Sequence, residues 1–298
     1  MSKYKGLIGV MLSAVIFGFT PILARITYDY GSNGINMTFL RATLSLPVLF
    51  LLSRKSEKKM RLDAGKIRDI ALLGVVGTSI TTILLYSSYN YIGVGLATTL
   101  HFIYPVISVM ICALFFGESL GAWKLIALLC SVAGIMLSSG SKGFVLSPGI
   151  ALALLSGCTY AFYIIFMDKT WIKEMDYFQL SFLLCSVMSI TSGLFGWATG
   201  MLNFRMPLIA WAYSLIVSLL NSLGAIPLFQ MGVRHVGGST ASILSTLEPI
   251  TGLILSAAMI GERLSWLKVS GCALILISVL LISYAENKRD SVQVGEEA

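Results

Sequence analysis

Ten runs of about 20 mainly apolar residues, separated by short polar breaks, fill nearly the whole chain. They start near Gly6, Ile35, Ile67, Gly93, Ala122, Gly149, Phe178, Ile209, Gly238 and Trp266, and the last ends near Tyr284. A run of that length crosses roughly 30 Å of hydrocarbon as an α-helix. Lipid offers no partner to backbone N–H and C=O groups, so only helices or closed barrels can span it. Barrel strands are shorter and alternate in polarity. The expected fold is therefore an all-α integral membrane protein with ten transmembrane helices. Only 12 % of residues are charged against 56 % hydrophobic, too few charges for a water-solvated surface, which carries roughly 25 %.

The basic residues fall mainly in the breaks. Seven basic residues cluster after the second run, from Arg54 to Arg68. This is the pattern of cytoplasmic loops rather than of a nucleic-acid surface, despite a net charge of +7. With the N-terminus inside, fifteen Lys and Arg fall on the inner side and five on the outer: Arg25, Lys142, Arg205, Arg263 and Lys268. That bias predicts both termini in the cytoplasm and a multi-pass protein of the plasma (inner) membrane. The first run is long for a signal peptide and lacks a small-residue cleavage site, so it reads as a retained helix. Trp123, Trp197, Trp211 and Trp266 fall at expected helix ends, where indole rings favour the headgroup level.

The five cysteines lie inside apolar runs without CxxC spacing, so neither a disulfide framework nor a metal site is indicated. Walker A, GxGxxG, GxSxG and HExxH motifs are absent. The expectation is a non-enzyme without a cofactor.

The chain repeats itself. Pro105 precedes Gly117-Glu118 by twelve residues, Pro249 precedes Gly261-Glu262 by twelve, and the offset between the pairs is 144. Residues 91–138 against 235–282 give ten identities in 48 positions, modest for apolar sequence, but proline and Gly-Glu are scarce enough here to fix the register. The expected organisation is a first five-helix repeat over 1–140, an extracytoplasmic linker over 141–148, a second five-helix repeat over 149–285 and a disordered cytoplasmic tail over 286–298. An odd number of helices per repeat inverts the second relative to the first, an architecture of secondary transporters whose site lies near the midplane.

The 5+5 layout, the paired Pro-x11-Gly-Glu signature, Leu247-Glu248-Pro249 and Phe39-Leu40-Arg41 together resemble the drug/metabolite transporter superfamily in its EamA-like branch. The likeness covers about residues 6 to 284. It implies export or exchange of small metabolites through a central cavity, with the fifth and tenth spans peripheral.

Glu248 lies about eleven residues into its span, near the midplane. An acid there costs several kcal/mol, roughly 2.5–3.5 for Asp on insertion scales, and marks a proton or cation site by default; the other reading is a carboxyl bonded to backbone freed by Pro249. His101 and Tyr104 are three apart, as are their repeat equivalents Ser245 and Glu248, so each pair shares a helix face. His101 could equally be tied to a hydroxyl such as that of Thr98. Arg41 lies six or seven residues inside its span; it reads as an anion clamp or gate, but the reach of its side chain favours snorkelling to the outer surface. Phe17, Tyr86, Asn90, Tyr160, Tyr163 and Asn221 complete a candidate pocket for an amphipathic metabolite, although each alone is more often packing glue. Expected partners are the lipid bilayer, a small-molecule substrate and protons; a homodimer is compatible with the sequence but nothing demands one. The expected function is a secondary transporter of small organic metabolites such as amino acids, by alternating access. The alternative is a non-transport membrane protein, such as a sensor or lipid-modifying enzyme, which would be expected to show a cluster of acids at one membrane face.

Overall fold

The computed structural model describes residues 2–55, 62–118, 121–139, 147–260 and, from 266 to 281, all but 268, 272 and 279. The expectations for Lys142, Gly261, Glu262, Arg263, Lys268, Cys272, the tail and most of the linker lie outside these residues. Among the described residues every regular element is helical. In chain order the α-helices are α1 (Ser2–Ile26), α2 (Gly34–Thr43), α3 (Leu46–Lys55), α4 (Ala64–Leu72), α5 (Thr81–His101), α6 (Tyr104–Phe116) and α7 (Ala122–Ser139). They continue as α8 (Pro148–Lys169), α9 (Tyr177–Ala198), α10 (Leu208–Leu219), α11 (Ile226–Val236), α12 (Gly238–Leu244) and α13 (Leu247–Ile260).

Six helical stretches are long and apolar enough to cross a membrane: Lys3–Tyr30, Gly34–Lys55, Ala64–Ile92, Pro148–Lys169, Tyr177–Ala198 and Leu208–Val236. These correspond to the first, second, third, sixth, seventh and eighth expected spans. Shorter apolar helices among the described residues are Tyr104–Phe116, Ala122–Gly134 and Val269–Ser278.

Proline explains the interruptions. A helical proline donates no N–H and its ring clashes with the carbonyl four residues back. Turns at Leu44–Ser45, Phe102–Ile103 and Ser245–Thr246 each lie two to four residues ahead of Pro47, Pro105 and Pro249. Pro227 follows a π-wound segment, Leu220–Ala225, and a second π-wound segment covers Leu73–Ile80. With the 144-residue offset, these two segments fall on corresponding helices of the repeat. Pro21 is accommodated inside the unbroken α1.

The sequence repeats are laced together rather than side by side. Helix α1 packs on α11 through glycines: a Cβ on Gly9 would meet Met231 and the Leu228 carbonyl, and one on Gly232 would meet Val10. Ser13 ties the same seam by donating to the Ala225 carbonyl at 2.8 Å. Helix α8 packs on α5, where Thr81 donates to Thr159 at 2.6 Å. Thr43 and Ser189 join α2 to α9 at 2.6 Å. Gly237 has φ +81° and nothing within 4 Å of its virtual Cβ, because it forms the turn between α11 and α12. Its neighbour Gly238 makes the close approach, to Ile164 and Asp168.

One end of the bundle carries most of the described ion pairs, the Arg25–Asp29 pair at 3.0 Å lying at the other. Gly117 closes α6 in the left-handed region at φ +64°, the usual role of a glycine after a helix. The turn delivers Glu118 to Lys124 at 3.1 Å and to Lys169 at 2.5 Å. Trp171 donates to Asp69 at 3.0 Å, and Arg234 pairs with Glu174 at 3.0 Å. At the opposite end Tyr28 donates to the Tyr86 carbonyl, Asn33 to Met201 and Asn36 to Asn203.

Partial burial pushes the Glu118 carboxyl up, but the hydrogen bond from Lys169 and the charge and hydrogen bond of Lys124 outweigh it, so it titrates below its usual value. A depressed carboxyl stabilises the fold above the unfolded-chain pKa and loses that contribution as pH falls through the folded one. The Glu118 contribution is thus expected to be whole above about pH 5 and to drain away below about pH 4. Thermal unfolding in detergent should show Glu118→Gln less stable by about 1–3 kcal/mol at neutral pH. Its acid dependence should be flatter than that of the wild type; equal slopes would contradict the assignment.

Candidate functional site

The two helix breaks place side chains around one central cavity of about 850 Å³, its open mouth included. The turn at Ser245–Thr246 starts α13 inside the bundle, and Glu248 lies in its first turn. The positive end of the α13 dipole lies there and favours negative charge. Gly18 of α1 lets the backbones approach closely: a Cβ there would lie 2.5 Å from the Glu248 carbonyl oxygen. The turn at Phe102–Ile103 has the matching device, since a Cβ on Gly157 would lie 2.6 Å from the His101 carbonyl oxygen.

Eight of the residues expected from the sequence line the cavity: Phe17, Arg41, Tyr86, His101, Tyr160, Tyr163, Asn221 and Glu248. Arg41 does not snorkel. Its Nη1 donates to the Tyr86 hydroxyl at 3.4 Å and its guanidinium lies 5.9 Å from the Tyr86 ring centre. Its Nε is buried without a hydrogen-bond partner. Snorkelling is overridden because α2 lies between α5, α9 and α10, with Ser218 holding the Arg41 carbonyl. Among the described residues neither Arg41 nor Glu248 has an ion-pair partner. His101 is held by Ser156 at 2.8 Å, not by Thr98, whose hydroxyl donates to the Val94 carbonyl. The Asn221 amide is engaged, donating to Val217 and accepting from Thr20, which is a packing role at the cavity edge.

Three expected residues lie off the cavity. Tyr86 and Tyr89 are three apart and share the cavity-lining face, whereas Asn90, one position and about 100° further round, is exposed. Tyr104 is buried, its ring 5.3 Å from His101 and 4.8 Å from Tyr160. Ser245 donates to the Ala241 carbonyl at 2.9 Å. The shared-face expectation for His101 with Tyr104, and for Ser245 with Glu248, assumed continuous helices, and a turn interrupts each pair.

The structure adds lining residues that the sequence did not single out, including Thr78, Thr81, Ser181 and Phe229. Gly77 and Thr78 come from the first π-wound segment, which has no evident sequence signature. Just behind the wall, Gln230 accepts from Ser181 and donates to Tyr163, both at 3.4 Å; a lone amide in an apolar run was the available signal. The walls between the charges are aromatic, with Tyr160 stacked on Tyr163 at 5.6 Å and Phe229 6.3 Å beyond. Away from the cavity, Cys112, Glu118 and Asp168 bring their ligand atoms within 4.8 Å of one another. Lys124 and Lys169 already supply the positive charge there, so the cluster reads as an ion-pair network.

Six helical stretches long and apolar enough to cross a membrane, bundled around a polar-and-aromatic cavity, define a multi-pass membrane protein. The chain matches the EamA-like transporter family twice, over residues 4–140 and 147–284, and belongs to it. It is 24 % identical to a Synechocystis protein described as the uncharacterized transporter sll1319, covering 94 % of this chain and 93 % of that one. It is 27 % identical to the uncharacterized inner membrane transporter YicL of Salmonella typhimurium, over 97 % and 98 %. A 58-residue stretch, 20 % of each chain, is 33 % identical to a probable terminal-alkyne amino-acid exporter of Streptantibioticus cattleyicolor. A solved crystal structure shares the fold, with a TM-score of 0.77 at 16 % identity over 94 % of this chain and 96 % of the other.

Proposed function

We propose that the chain is a secondary transporter that exports or exchanges small amphipathic zwitterions, amino acids or related compounds, by alternating access through the central cavity. The observation that carries this reading is the pair of opposite charges, Arg41 and Glu248, that line one aromatic-walled cavity without an ion-pair partner among the described residues. A charge inside a membrane protein is expensive unless a partner or a function compensates it. A carboxylate and an ammonium on one ligand supply both partners, and the rings accept its apolar part. The short stretch of likeness to an amino-acid exporter favours the same class.

The proposed architecture is ten spans in two inverted five-helix repeats, with both termini cytoplasmic. Its support is the five-span repeat unit, the paired helix breaks and the Lys/Arg bias. The proposed coupling is competition at Glu248, which takes either a proton or the substrate's ammonium group. Discharge of one then accompanies loading of the other.

The test is transport in proteoliposomes against a panel of amino acids, with and without a proton gradient. Arg41→Gln is expected to weaken uptake of carboxylate-bearing substrates about 10-fold or more in apparent affinity, the worth of a charge-assisted contact. Their carboxamide analogues should be little affected. Equal losses for both series would remove the carboxylate role of Arg41. No transport of any panel member by the wild type would sink the substrate class.

A further inference from the structure

His101 lines the cavity, and two successive hydrogen bonds fix which of its nitrogens carries hydrogen. Nδ1 lies 2.8 Å from Ser156 Oγ. The same oxygen lies 2.6 Å from the Ala153 carbonyl oxygen. A hydroxyl has one proton, and a carbonyl can only accept. If Ser156 gave its proton to His101, two oxygen lone pairs would face each other at 2.6 Å in a site where Ser156 has no exposure. The proton therefore belongs to the Ala153 contact, and Ser156 accepts from His101. Nδ1 carries hydrogen, and Nε2 of the neutral ring carries a lone pair. The contact is held in place by the neighbouring Gly157, where any side chain would strike the His101 carbonyl. Among the described residues nothing occupies Nε2, and that nitrogen is not sealed from the cavity.

We propose that His101 sets specificity for the protonated amine of the ligand, its Nε2 accepting an ammonium N–H in the cavity that Glu248 also lines. The assignment rests on the zwitterion reading above and adds which end of the ligand faces which wall. An ammonium group has three donors, and Glu248 alone leaves donors unsatisfied in a desolvated site, which an acceptor nitrogen and the Tyr160 ring, 5.3 Å from His101, relieve. The arrangement selects on N–H donors, not on charge alone. A quaternary ammonium keeps the charge but has nothing to donate.

The test compares L-phenylalanine with its N,N,N-trimethyl betaine on the purified full-length protein in detergent, by calorimetric binding. The wild type is expected to bind phenylalanine about 10-fold more tightly or better. His101→Phe keeps an aromatic ring but removes the acceptor, so the preference should collapse through loss of phenylalanine affinity, with betaine affinity unchanged. Ser156→Ala keeps the imidazole but frees its tautomer, so the preference should shrink, and it covers the case in which His101→Phe does not fold. A direct reading is independent of any ligand. In a His235→Gln background the 15N shifts of the remaining histidine should show a protonated Nδ1 and an unprotonated Nε2. A protonated Nε2, a preference that survives both variants, or equal losses for both probes would overturn the assignment. Binding of neither probe by the wild type, with the 15N pattern as expected, would instead overturn the zwitterion reading and take this assignment down with it.

Discussion

Glu248→Gln is expected to abolish proton-driven accumulation in proteoliposomes while leaving gradient-free counterflow measurable at a reduced rate. The amide preserves the shape of the side chain but cannot exchange a proton. The cavity keeps the same wall residues, and Arg41 still presents its guanidinium. What disappears is the one acidic side chain that lines the cavity among the described residues. The ammonium contact weakens too, by about 10-fold in affinity for a lost charge-assisted hydrogen bond. The diagnostic quantity is the ratio of gradient-driven to counterflow rates, which should fall far more than either binding or protein yield. Undiminished gradient-driven transport by the amide variant would end the coupling proposal.

Gly18→Leu is expected to cost the most in folding. At Gly18 the backbone of α1 crosses that of α13: a Cβ would lie 2.5 Å from the Glu248 carbonyl oxygen, 2.7 Å from Thr251 Cβ and 3.1 Å from the Gly252 nitrogen. Two of those three are backbone atoms, which cannot rotate away as a flexible side chain can. Even Gly18→Ala should lose about 1–3 kcal/mol by overpacking, and the leucine should separate the helices and shift Glu248 with them. Gly252 is the control. A Cβ there meets only the Gly18 carbonyl oxygen at 3.5 Å, an ordinary contact, so Gly252→Ala should be nearly neutral. Thermal unfolding and detergent-extracted yield of the three variants provide the check. Similar stabilities for Gly18→Leu and Gly252→Ala would show that the seam is not tight.

Which residues were legible from sequence follows from what each inference needed. Hydropathy needs only composition within a window, so the long uninterrupted helices emerged directly, as did the register of the repeat from Pro105 and Pro249. Glu248, His101 and Arg41 stood out because ionisable groups are scarce in apolar runs, and all three line the cavity. Tyr104 and Ser245 lie off the cavity because the prolines that marked the register also broke the 100° step per residue that a face argument needs. The snorkelling expectation for Arg41 failed for a different reason. Reach along the membrane normal is a property of one side chain, whereas its direction is set by α5, α9 and α10 packed around α2. Ser156, which orients His101, carries no sequence signal because serines are common throughout these helices.

The two π-wound stretches, Leu73–Ile80 and Leu220–Ala225, make length itself an adjustable quantity in this bundle. Each fits more residues per turn than an α-helix does. Deleting one residue there could restore ordinary winding, whereas deleting one from a regular helix would twist everything beyond it by about 100°. In the corresponding helices of both repeats, single-residue gaps should therefore be absorbed at these stretches, and nowhere else along the same helices without turning the cavity wall away.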